Sequence, residues 1–409
     1  MPKTIWFISK YATPRYGARA GARGHLILSE MVKSGHCGVL ICSDANHLAT
    51  PPTFDQPVFS EVVDGVDVHW LRTRKFKSAN SLGRILSWID FEWRLWRMPK
   101  ARIPKPDAII ISSLSLLTIL NGFWLRRKYR ATLAFEIRDI WPLNLQVHRG
   151  WSKWNPIVLV LGWLEWLGYR YADVVVGTMP NLGEHVKDVL GYERAVACVP
   201  QGLDDALLEP TPPLDQGFVE EFIPKNKFTV VYAGTIGVAN ALDILFEVAE
   251  DLRGVENLHF LVLGEGYLKV QYQEKYKHLS NLTFAPGVPK NMVQSVLAHG
   301  DLMFLSVPRS RLLDFGQSFN KIIDYMLSGK PVLASFSGYP SMLNEAECGS
   351  FVPAGDAGAL AAEIKRYLAM PEEQRLEMGG AGRDWVLKHR RFSTLADRYL
   401  NLLDEPGAS

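Results

Sequence analysis

The stretch that decides the fold runs from Gly316 to Pro331, Gly-Gln-Ser-Phe-Asn-Lys-Ile-Ile-Asp-Tyr-Met-Leu-Ser-Gly-Lys-Pro, and leads directly into Val332–Ser335. Its pattern predicts a loop, a short helix and then a buried strand. Ser318 or Asn320 can cap the start of the helix, and Gly329 followed by proline ends it. Such an order is typical of a parallel sheet wrapped by helices.

Two charged residues of this helix point to a ligand. Lys321 lies in the first turn, where a cation opposes the helix dipole unless the free N–H groups hold an anion. Asp324 lies one turn further along on the same side. A cation for phosphate and a carboxylate for sugar hydroxyls suggest a nucleotide-sugar site. An ordinary surface helix with a solvated lysine and aspartate remains the alternative.

Length and charge indicate more than one domain. A chain of 409 residues exceeds one typical core. Residues 1–205 hold 26 Lys and Arg against 18 Asp and Glu, whereas residues 206–409 hold 19 against 25. The net charges of +8 and −6 therefore predict two different domains, the first suited to an anionic partner.

Cysteine usage and hydropathy indicate a cytoplasmic protein. The four cysteines, Cys37, Cys42, Cys198 and Cys348, show no metal-binding spacing and are expected to be reduced thiols. The first residues lack the long apolar core of a signal peptide. No apolar run approaches the roughly 18–20 residues that span a bilayer.

Short apolar runs alternate with longer helical segments along the whole chain. The predicted strands are Thr4–Ser9, Val39–Cys42, Val66–Leu71, Ala108–Ser112, Thr132–Ile137, Val174–Gly177, Ala195–Val199, Thr229–Ala233, His259–Leu263, Leu282–Ala285, Leu302–Ser306, Val332–Ser335 and Ser350–Val352. The proline-rich stretch from Glu209 to Asp215 is the expected linker. Two doubly wound sheets would bring their strand ends together at a shared cleft.

Tryptophan and arginine are concentrated in one region. Nine of the twelve tryptophans fall between Trp88 and Trp166, and residues 70–105 carry ten Lys and Arg against two acidic residues. This mixture favours a peripheral membrane surface, with Trp88, Trp93 and Trp96 on one part and residues 157–167 on another. Tryptophans in an ordinary core are the alternative. Nucleic acid is not expected as a partner, because the second half is acidic and lacks a binding motif.

Each half carries glycine turns after its strands. In the first half, Gly17, Gly21 and Gly24 permit close approach to a ligand, while Arg19, Arg23 and His25 add charge; a mobile surface loop fits equally well. In the second half, such turns contain Gly234, Gly264-Glu265-Gly266 and Gly287-Val288. They lie where open sheets bind ligands.

With these motifs the chain resembles the family 4 retaining glycosyltransferases of the GT-B fold, over nearly its whole length. The resemblance rests on the three glycine turns, on Asn320–Pro331, on Val352-Pro-Ala-Gly-Asp356, and on Pro200-Gln-Gly-Leu-Asp204 at the end of the first domain. The segment Phe135–Pro142 resembles the N-acetyl-fucosamine-transferase-like subgroup, which acts in surface polysaccharide assembly. The resemblance implies an α/β protein with two Rossmann-like, doubly wound domains that face each other across a cleft.

The domains implied are residues 1–205 for the acceptor, with the membrane-facing segments, and 206–384 for the nucleotide sugar. Residues 385–409 would form a helix that packs back on the first domain. By resemblance, the donor diphosphate is held by Lys321, Asn320, Ser318, Gly234 and Thr235. Ribose and base are assigned to Asp324, Glu265, Gly264 and Val288, and the donor sugar to Gly316 and Gln317.

The sequence departs from the family pattern at two positions. Gly316 stands where the family has its first acidic residue, so the donor sugar must be recognised elsewhere, for example by Gln317. Val238 stands where a basic residue is common, and Arg309 or Arg311 would have to substitute for it. These two departures leave room for a weak or inactive enzyme.

The candidate catalytic residues are Asp139, Glu136, His25 and Arg23. Asp139 and Glu136 end a predicted buried strand, where a carboxylate can orient an acceptor hydroxyl and take its proton. A structural ion pair with Arg138 is the alternative, and the leaving diphosphate can itself take the proton. No metal or other cofactor is expected, because cations and N–H dipoles can stabilise the diphosphate.

The expected function is transfer of a sugar from a nucleotide-diphosphate sugar, with UDP as the expected nucleotide. The expected acceptor is a polyprenyl-diphosphate-linked sugar or a glycan. The protein is expected to be peripheral on the inner face of the cell membrane. A nucleotide-sugar 2-epimerase of the same fold and a non-catalytic, transferase-derived membrane scaffold are the alternatives.

Overall fold

The computed structural model describes residues 1–17, 22–46, 50–76, 82–113 and 115–405. The chain forms two compact units, Met1–Gln201 together with Phe392–Ser409, and Gly202–Arg391. The chain passes between the units at residues 201–202 and 391–392, rather than at 205–206 and 384–385 as expected from the sequence.

The first unit is built on one sheet. Its strands are β1 (Thr4–Ile8), β2 (Cys37–Ser43), β3 (Val58–Val63), β4 (Val66–Leu71), β5 (Ala108–Ser112), β6 (Thr132–Ile137), β7 (Val174–Gly177) and β8 (Ala197–Cys198). Its first six helices are α1 (Arg23–Lys33), α2 (Leu82–Arg97), α3 (Thr118–Tyr129), α4 (Leu143–Arg149), α5 (Pro156–Tyr171) and α6 (Leu182–Leu190).

The strands of this sheet lie in the order β3-β4-β2-β1-β5-β6-β7-β8. All neighbours are parallel except β3 and β4, which pair antiparallel from Val58 opposite Leu71 to Val63 opposite Val66. Strand β3 was not predicted from the sequence. As an edge strand with exposed and half-buried residues, it lacks the continuous apolar run of a strand that is covered on both faces.

The second unit is built on a fully parallel sheet. Its strands are β9 (Phe228–Ala233), β10 (Leu258–Leu263), β11 (Leu282–Ala285), β12 (Leu302–Ser306), β13 (Val332–Ser335) and β14 (Gly349–Val352). Its helices are α7 (Gln216–Phe222), α8 (Asp243–Asp251), α9 (Lys269–Lys275), α10 (Val293–Leu297), α11 (Asn320–Leu327), α12 (Ala357–Ala369) and α13 (Glu372–His389).

The order β11-β10-β9-β12-β13-β14 places the switch of direction at β9. Val231 belongs to the hydrophobic core on one face of this sheet and Val230 to the core on the other, as expected for successive residues of a strand. Both sheets therefore have the doubly wound topology that the sequence predicts, and each has a switch point where such sheets bind ligands.

The last helix, α14 (Phe392–Asp404), belongs to the first unit. It packs against α1, and its buried residues Leu395, Tyr399 and Leu403 lie on one face, four residues apart. Trp385, the expected start of this helix, lies instead within α13 of the second unit.

Candidate active site

Two glycine turns form the floor of the site in the second unit. Gly234 follows β9 and Gly264 follows the neighbouring strand β10. Gly264 has φ 141°, and a Cβ on it would lie 2.0 Å from the carbonyl oxygen of Gly234. Only glycine therefore fits there, and the two strand ends lie backbone to backbone at the carboxyl edge of the sheet.

The ammonium group of Lys321 lies over the first of these turns. It donates to Asn240 Oδ1 at 2.6 Å and to the hydroxyl of Tyr232 at 3.1 Å, and a Cβ on Gly234 would be 3.2 Å from it. Burial lowers the pKa of Lys321 to about 8. The cation is thus positioned by two side chains and is only weakly solvated, which strengthens its attraction to an anion.

The N-cap residue of α11 makes no side-chain hydrogen bond to the first turn. This N-cap residue is Phe319 rather than the expected Ser318 or Asn320; Ser318 is half-buried and Asn320 is exposed as the first helical residue. The first-turn N–H groups of an uncapped helix favour an anion.

The turn itself is held by the same side chains that hold Lys321. The carbonyl oxygen of Thr235 accepts from the Tyr232 hydroxyl at 2.7 Å and from Asn240 Nδ2 at 2.8 Å. Tyr232 and Asn240 were not predicted from the sequence, where only a basic residue at position 238 was expected to contribute to this turn. Val238 is 65% exposed.

Gln317 is a buried polar side chain without a partner. It is 4% exposed, and neither its Oε1 nor its Nε2 has a hydrogen-bond partner in the described part of the chain. The preceding Gly316 has φ 93°, a conformation that favours glycine. A buried carboxamide without partners is costly, so Gln317 is suited to bind a ligand.

Asp324 lies one turn after Lys321 and is almost fully buried. Burial raises its pKa, and the ammonium of Lys290 opposes this by pairing with its carboxylate. Lys290 belongs to the segment after β11. The sequence predicted a contact between this segment and the base, through Val288, but no contact with Asp324.

Glu265 also binds the segment that follows β11. Its Oε1 accepts from the backbone N–H of Gly287 at 3.0 Å and from Lys269 Nζ at 2.9 Å. These two donors, the amide first, lower the pKa of Glu265. Val288 is half-buried and packs against the core of the unit.

Arg309 and Arg311 were the expected substitutes for a basic residue at position 238. The side chain of Arg309 is exposed and donates from Nε to the carbonyl oxygen of Ala354 at 3.1 Å. Arg311 is exposed at the start of a short 3-10 helix, Arg311–Phe315.

Asp139 of the first unit lies just after β6 and is half-buried. Burial raises its pKa, while the positive charges of Arg138 and Arg84 and the nearby His148 oppose this. The backbone N–H of Arg138 donates to Ser113 Oγ at 3.0 Å, which ties the segment to the end of β5. Asp139 is therefore the candidate carboxylate that a substrate can reach.

Glu136 and Arg23, by contrast, form a buried ion pair. Arg23 Nη1 lies 2.5 Å from Glu136 Oε1, and both side chains are almost completely buried. Burial opposes ionisation of Glu136, but Arg23 and Arg138 outweigh it and lower its pKa. Arg23 also donates to the carbonyl oxygens of Val199 and Pro200. These contacts let the pair join three segments of the unit: α1, β6 and residues 199–200.

His25 is also buried, within α1. Its Nε2 lies 3.2 Å from the carbonyl oxygen of Val63 at the end of β3, and burial lowers its pKa. Gly24 packs so closely that a Cβ would lie 2.6 Å from the ring of Phe7. Of the glycine-rich turn expected to bind a ligand, Arg19 and Gly21 lie outside the described residues.

No group of three or more His, Cys, Asp or Glu side chains that could hold a metal ion is found in the part of the chain that the structure describes. No helix in that part is long and apolar enough to cross a membrane.

Two family models match the chain. Residues 20–202 match the glycosyl transferase 4-like domain, and residues 227–370 match the glycosyl transferases group 1. The two matches cover most of both units. The chain belongs to the family 4 glycosyltransferases. Because both matching models describe glycosyltransferases, they favour sugar transfer as the activity of this glycosyltransferase over the epimerase and scaffold alternatives.

The fold of this glycosyltransferase is GT-B, as solved structures show. Sucrose-phosphate synthase from Thermosynechococcus elongatus has a TM-score of 0.70 at 17% identity, with 98% of each chain covered. The E. coli trehalose-6-phosphate protein bound with UDP-2-fluoro glucose has a TM-score of 0.69 at 13% identity, covering 98% of this chain and 99% of that one.

Anabaena HepE in complex with UDP and glucose has a TM-score of 0.61 at 13% identity, covering 98% of this chain and 99% of that one. No curated protein matches the chain in sequence.

Proposed function

We propose that this glycosyltransferase moves a sugar from a UDP-sugar to a lipid-linked or glycan acceptor in surface polysaccharide assembly, with retention of anomeric configuration. The observation that carries the donor assignment is the partly desolvated ammonium of Lys321 over the Gly234 turn, beside the uncapped N-terminus of α11. Two similar structures were solved with UDP or a UDP-sugar, which supports UDP as the nucleotide.

The donor's leaving group is a diphosphate, and its negative charge grows as the bond to the sugar breaks. Lys321 and the first N–H groups of α11 would stabilise this charge, because fixed donors in a poorly solvated site act strongly on developing charge. Asp324, Glu265, Gly264 and Val288 would surround ribose and base. Gln317, whose carboxamide lacks partners, would hydrogen-bond the donor sugar in place of an acidic residue at position 316.

In the transfer step, the acceptor hydroxyl oxygen forms a bond to the anomeric carbon as the bond from that carbon to the diphosphate oxygen breaks. The hydroxyl proton passes to the departing diphosphate or to a carboxylate. Asp139 is the proposed group that orients this hydroxyl, since it is the accessible carboxylate at the end of β6. Glu136, Arg23 and His25 are buried and would support the fold around it.

Exposed apolar side chains on α2 support a membrane-bound acceptor. Leu86, Ile89, Trp93 and Trp96 are each 44–54% exposed, and their spacing of three, four and three residues places them on one face of the helix. Trp88 does not belong to this surface: it is 7% exposed and donates to the Tyr11 hydroxyl at 2.7 Å.

A second exposed face lies on α5. Leu159, Val160 and Trp163 are each 51–55% exposed, whereas Val158, Leu161 and Leu164 are buried. The expected surface over residues 157–167 is therefore limited to one side of this helix. Asn155 caps this helix by accepting from the N–H of Ile157.

Both helices adjoin the loop that carries Asp139. The ring of Trp88 on α2 lies 6.0 Å from that of Trp141, and a Cβ on Gly162 of α5 would lie 3.8 Å from Pro142. Cations accompany the aromatic rings, such as Arg97 over Trp93 and Lys153 over Trp154. Apolar faces with cations suit an anionic lipid surface, and here they would bring a lipid-linked acceptor close to Asp139.

Sedimentation with vesicles containing anionic lipid tests this part of the proposal. The wild-type protein should bind at low salt and more weakly at high salt, because screening removes the contribution of Lys and Arg. Trp93→Ser with Trp96→Ser should reduce vesicle binding about tenfold or more and spare UDP binding. Val270→Ser with Leu376→Ser, exposed residues of the second unit, is the matched control. A wild-type protein that does not bind these vesicles at low salt contradicts the membrane proposal.

A further inference from the structure

The side chain of Lys290 reaches from the loop after β11 to the carboxylate of Asp324 on α11. The two side chains differ in exposure, with 57% of Lys290 and 11% of Asp324 accessible to solvent. The exposed ammonium group thus pairs with a carboxylate that is largely enclosed by protein. A ligand hydroxyl bound to Asp324 would therefore lie close to Lys290 as well.

A second bond joins the same segments. Gln294 Nε2 donates to the backbone carbonyl oxygen of Asp324 at 2.9 Å. At the other end of the loop, the N–H of Gly287 donates to Glu265 Oε1 at 3.0 Å. The loop of residues 287–290 is thus fixed on two sides, and Lys290 holds a defined position relative to α11.

The chemistry of the pair is complementary to a diol. A carboxylate only accepts hydrogen bonds, and an ammonium group only donates them. Each hydroxyl of a ribose ring can do both, so one hydroxyl can donate to Asp324 while its neighbour accepts from Lys290. The ammonium group carries three N–H donors, so it can keep its bond to the carboxylate while binding the sugar.

We propose that Lys290 is a specificity-determining residue of the donor site, which binds the 2′-hydroxyl of the ribose while Asp324 binds the 3′-hydroxyl. The pair selects ribonucleotide donors over deoxyribonucleotide donors. This inference rests on the proposed function, since it takes a nucleotide-diphosphate sugar as the ligand of α11. Lys290 would thus bind the ribose of the nucleotide, whereas Lys321 is proposed to bind its diphosphate.

Calorimetry with UDP and 2′-deoxy-UDP tests the inference through the ratio of two affinities. The wild-type protein should prefer UDP by about tenfold or more, since a hydrogen bond to a charged group contributes roughly 1.5–3 kcal/mol. Lys290→Met should bring the ratio close to one, and Lys290→Arg should retain most of it because the cation remains. Lys277→Met removes an exposed lysine that pairs with Glu274 and should leave the ratio unchanged.

Thermal unfolding without ligand shows whether each variant is folded. A Lys290→Met protein that binds UDP and keeps the wild-type ratio overturns the role of Lys290, as does a wild-type protein that binds both nucleotides equally; the donor site at Lys321 stands in both cases. A wild-type protein that binds neither nucleotide overturns the inference together with the UDP assignment. If Lys290→Met is unfolded, the same two affinities are measured for Lys290→Gln. A preference for UDP that falls close to one supports the inference, and a wild-type preference overturns it.

Discussion

The hydroxyl of Tyr399 donates a hydrogen bond of 2.6 Å to the carboxylate of Glu136, although 263 positions separate the two residues in the sequence. Through this bond helix α14 is attached to strand β6 of the first unit. The same carboxylate oxygen pairs with Arg23. Three segments that are distant in sequence therefore meet at one buried oxygen atom.

Tyr399→Phe should destabilise the first unit. A buried hydrogen bond to a charged acceptor contributes roughly 1.5–3 kcal/mol, and its loss leaves the Glu136 charge less well compensated. Chemical denaturation of the whole protein should show a lower free energy of unfolding, while affinity for UDP should not change. Tyr339→Phe, on an exposed tyrosine, is the control. An unfolding free energy equal to the wild-type value would show that the bond contributes nothing to stability.

Asp139→Asn should lower turnover about 10²–10⁴-fold, the range of a positioned general base. Affinity for UDP should stay within about twofold, because the donor site is assigned to the second unit. Steady-state rates and calorimetry measure the two effects separately, and Asp55→Asn changes a fully exposed carboxylate as control. An Asp139→Asn enzyme with the wild-type rate would return Asp139 to a purely structural role.

UDP affinity should fall as the pH rises above about 8. In the free protein, burial lowers the pKa of Lys321 to about 8, and a bound diphosphate must raise it because it stabilises the ammonium. Below pH 8 the cation is already present; above it, binding takes up a proton, so affinity falls by up to about tenfold per pH unit. Calorimetry from pH 7 to pH 9.5 should show this decline in the wild type and not in Lys321→Met. A flat wild-type profile would contradict the assignment.

Activity should not require a divalent metal ion, because Lys321 and the N–H groups of α11 are proposed to neutralise the diphosphate. The rate of enzyme treated with EDTA should remain within about twofold of the untreated rate. Loss of activity that Mg²⁺ or Mn²⁺ restores would show that a metal ion shares this role.

The sequence predicted the sheets well because their signal is local. The run Ala108–Ser112 is apolar and fully buried, and the predicted and observed strands coincide. The strand Val58–Val63 was missed because its residues are only partly buried. The position of Lys321 on α11 was also predictable, since caps, glycine stops and charges act within one or two turns.

Long-range partners could not be predicted from one sequence. Lys290 and Asp324 stand 34 residues apart, and Lys321 and Asn240 stand 81 residues apart. Nothing in the sequence around Arg23 shows that it pairs with Glu136, 113 residues later. Spacing along the chain therefore identified chemically suitable residues, and only the fold distinguished a buried ion pair from an accessible carboxylate.

The most direct test of the donor site is the affinity of Lys321→Ala for UDP, compared with its affinity for uridine. Loss of a charged hydrogen bond to phosphate should weaken UDP binding about ten- to hundredfold. Uridine, which lacks phosphate, should bind as it does to the wild type. Lys365→Ala on the exposed face of α12 is the control. A folded Lys321→Ala protein with wild-type affinity for UDP would contradict the central claim that Lys321 holds the donor diphosphate.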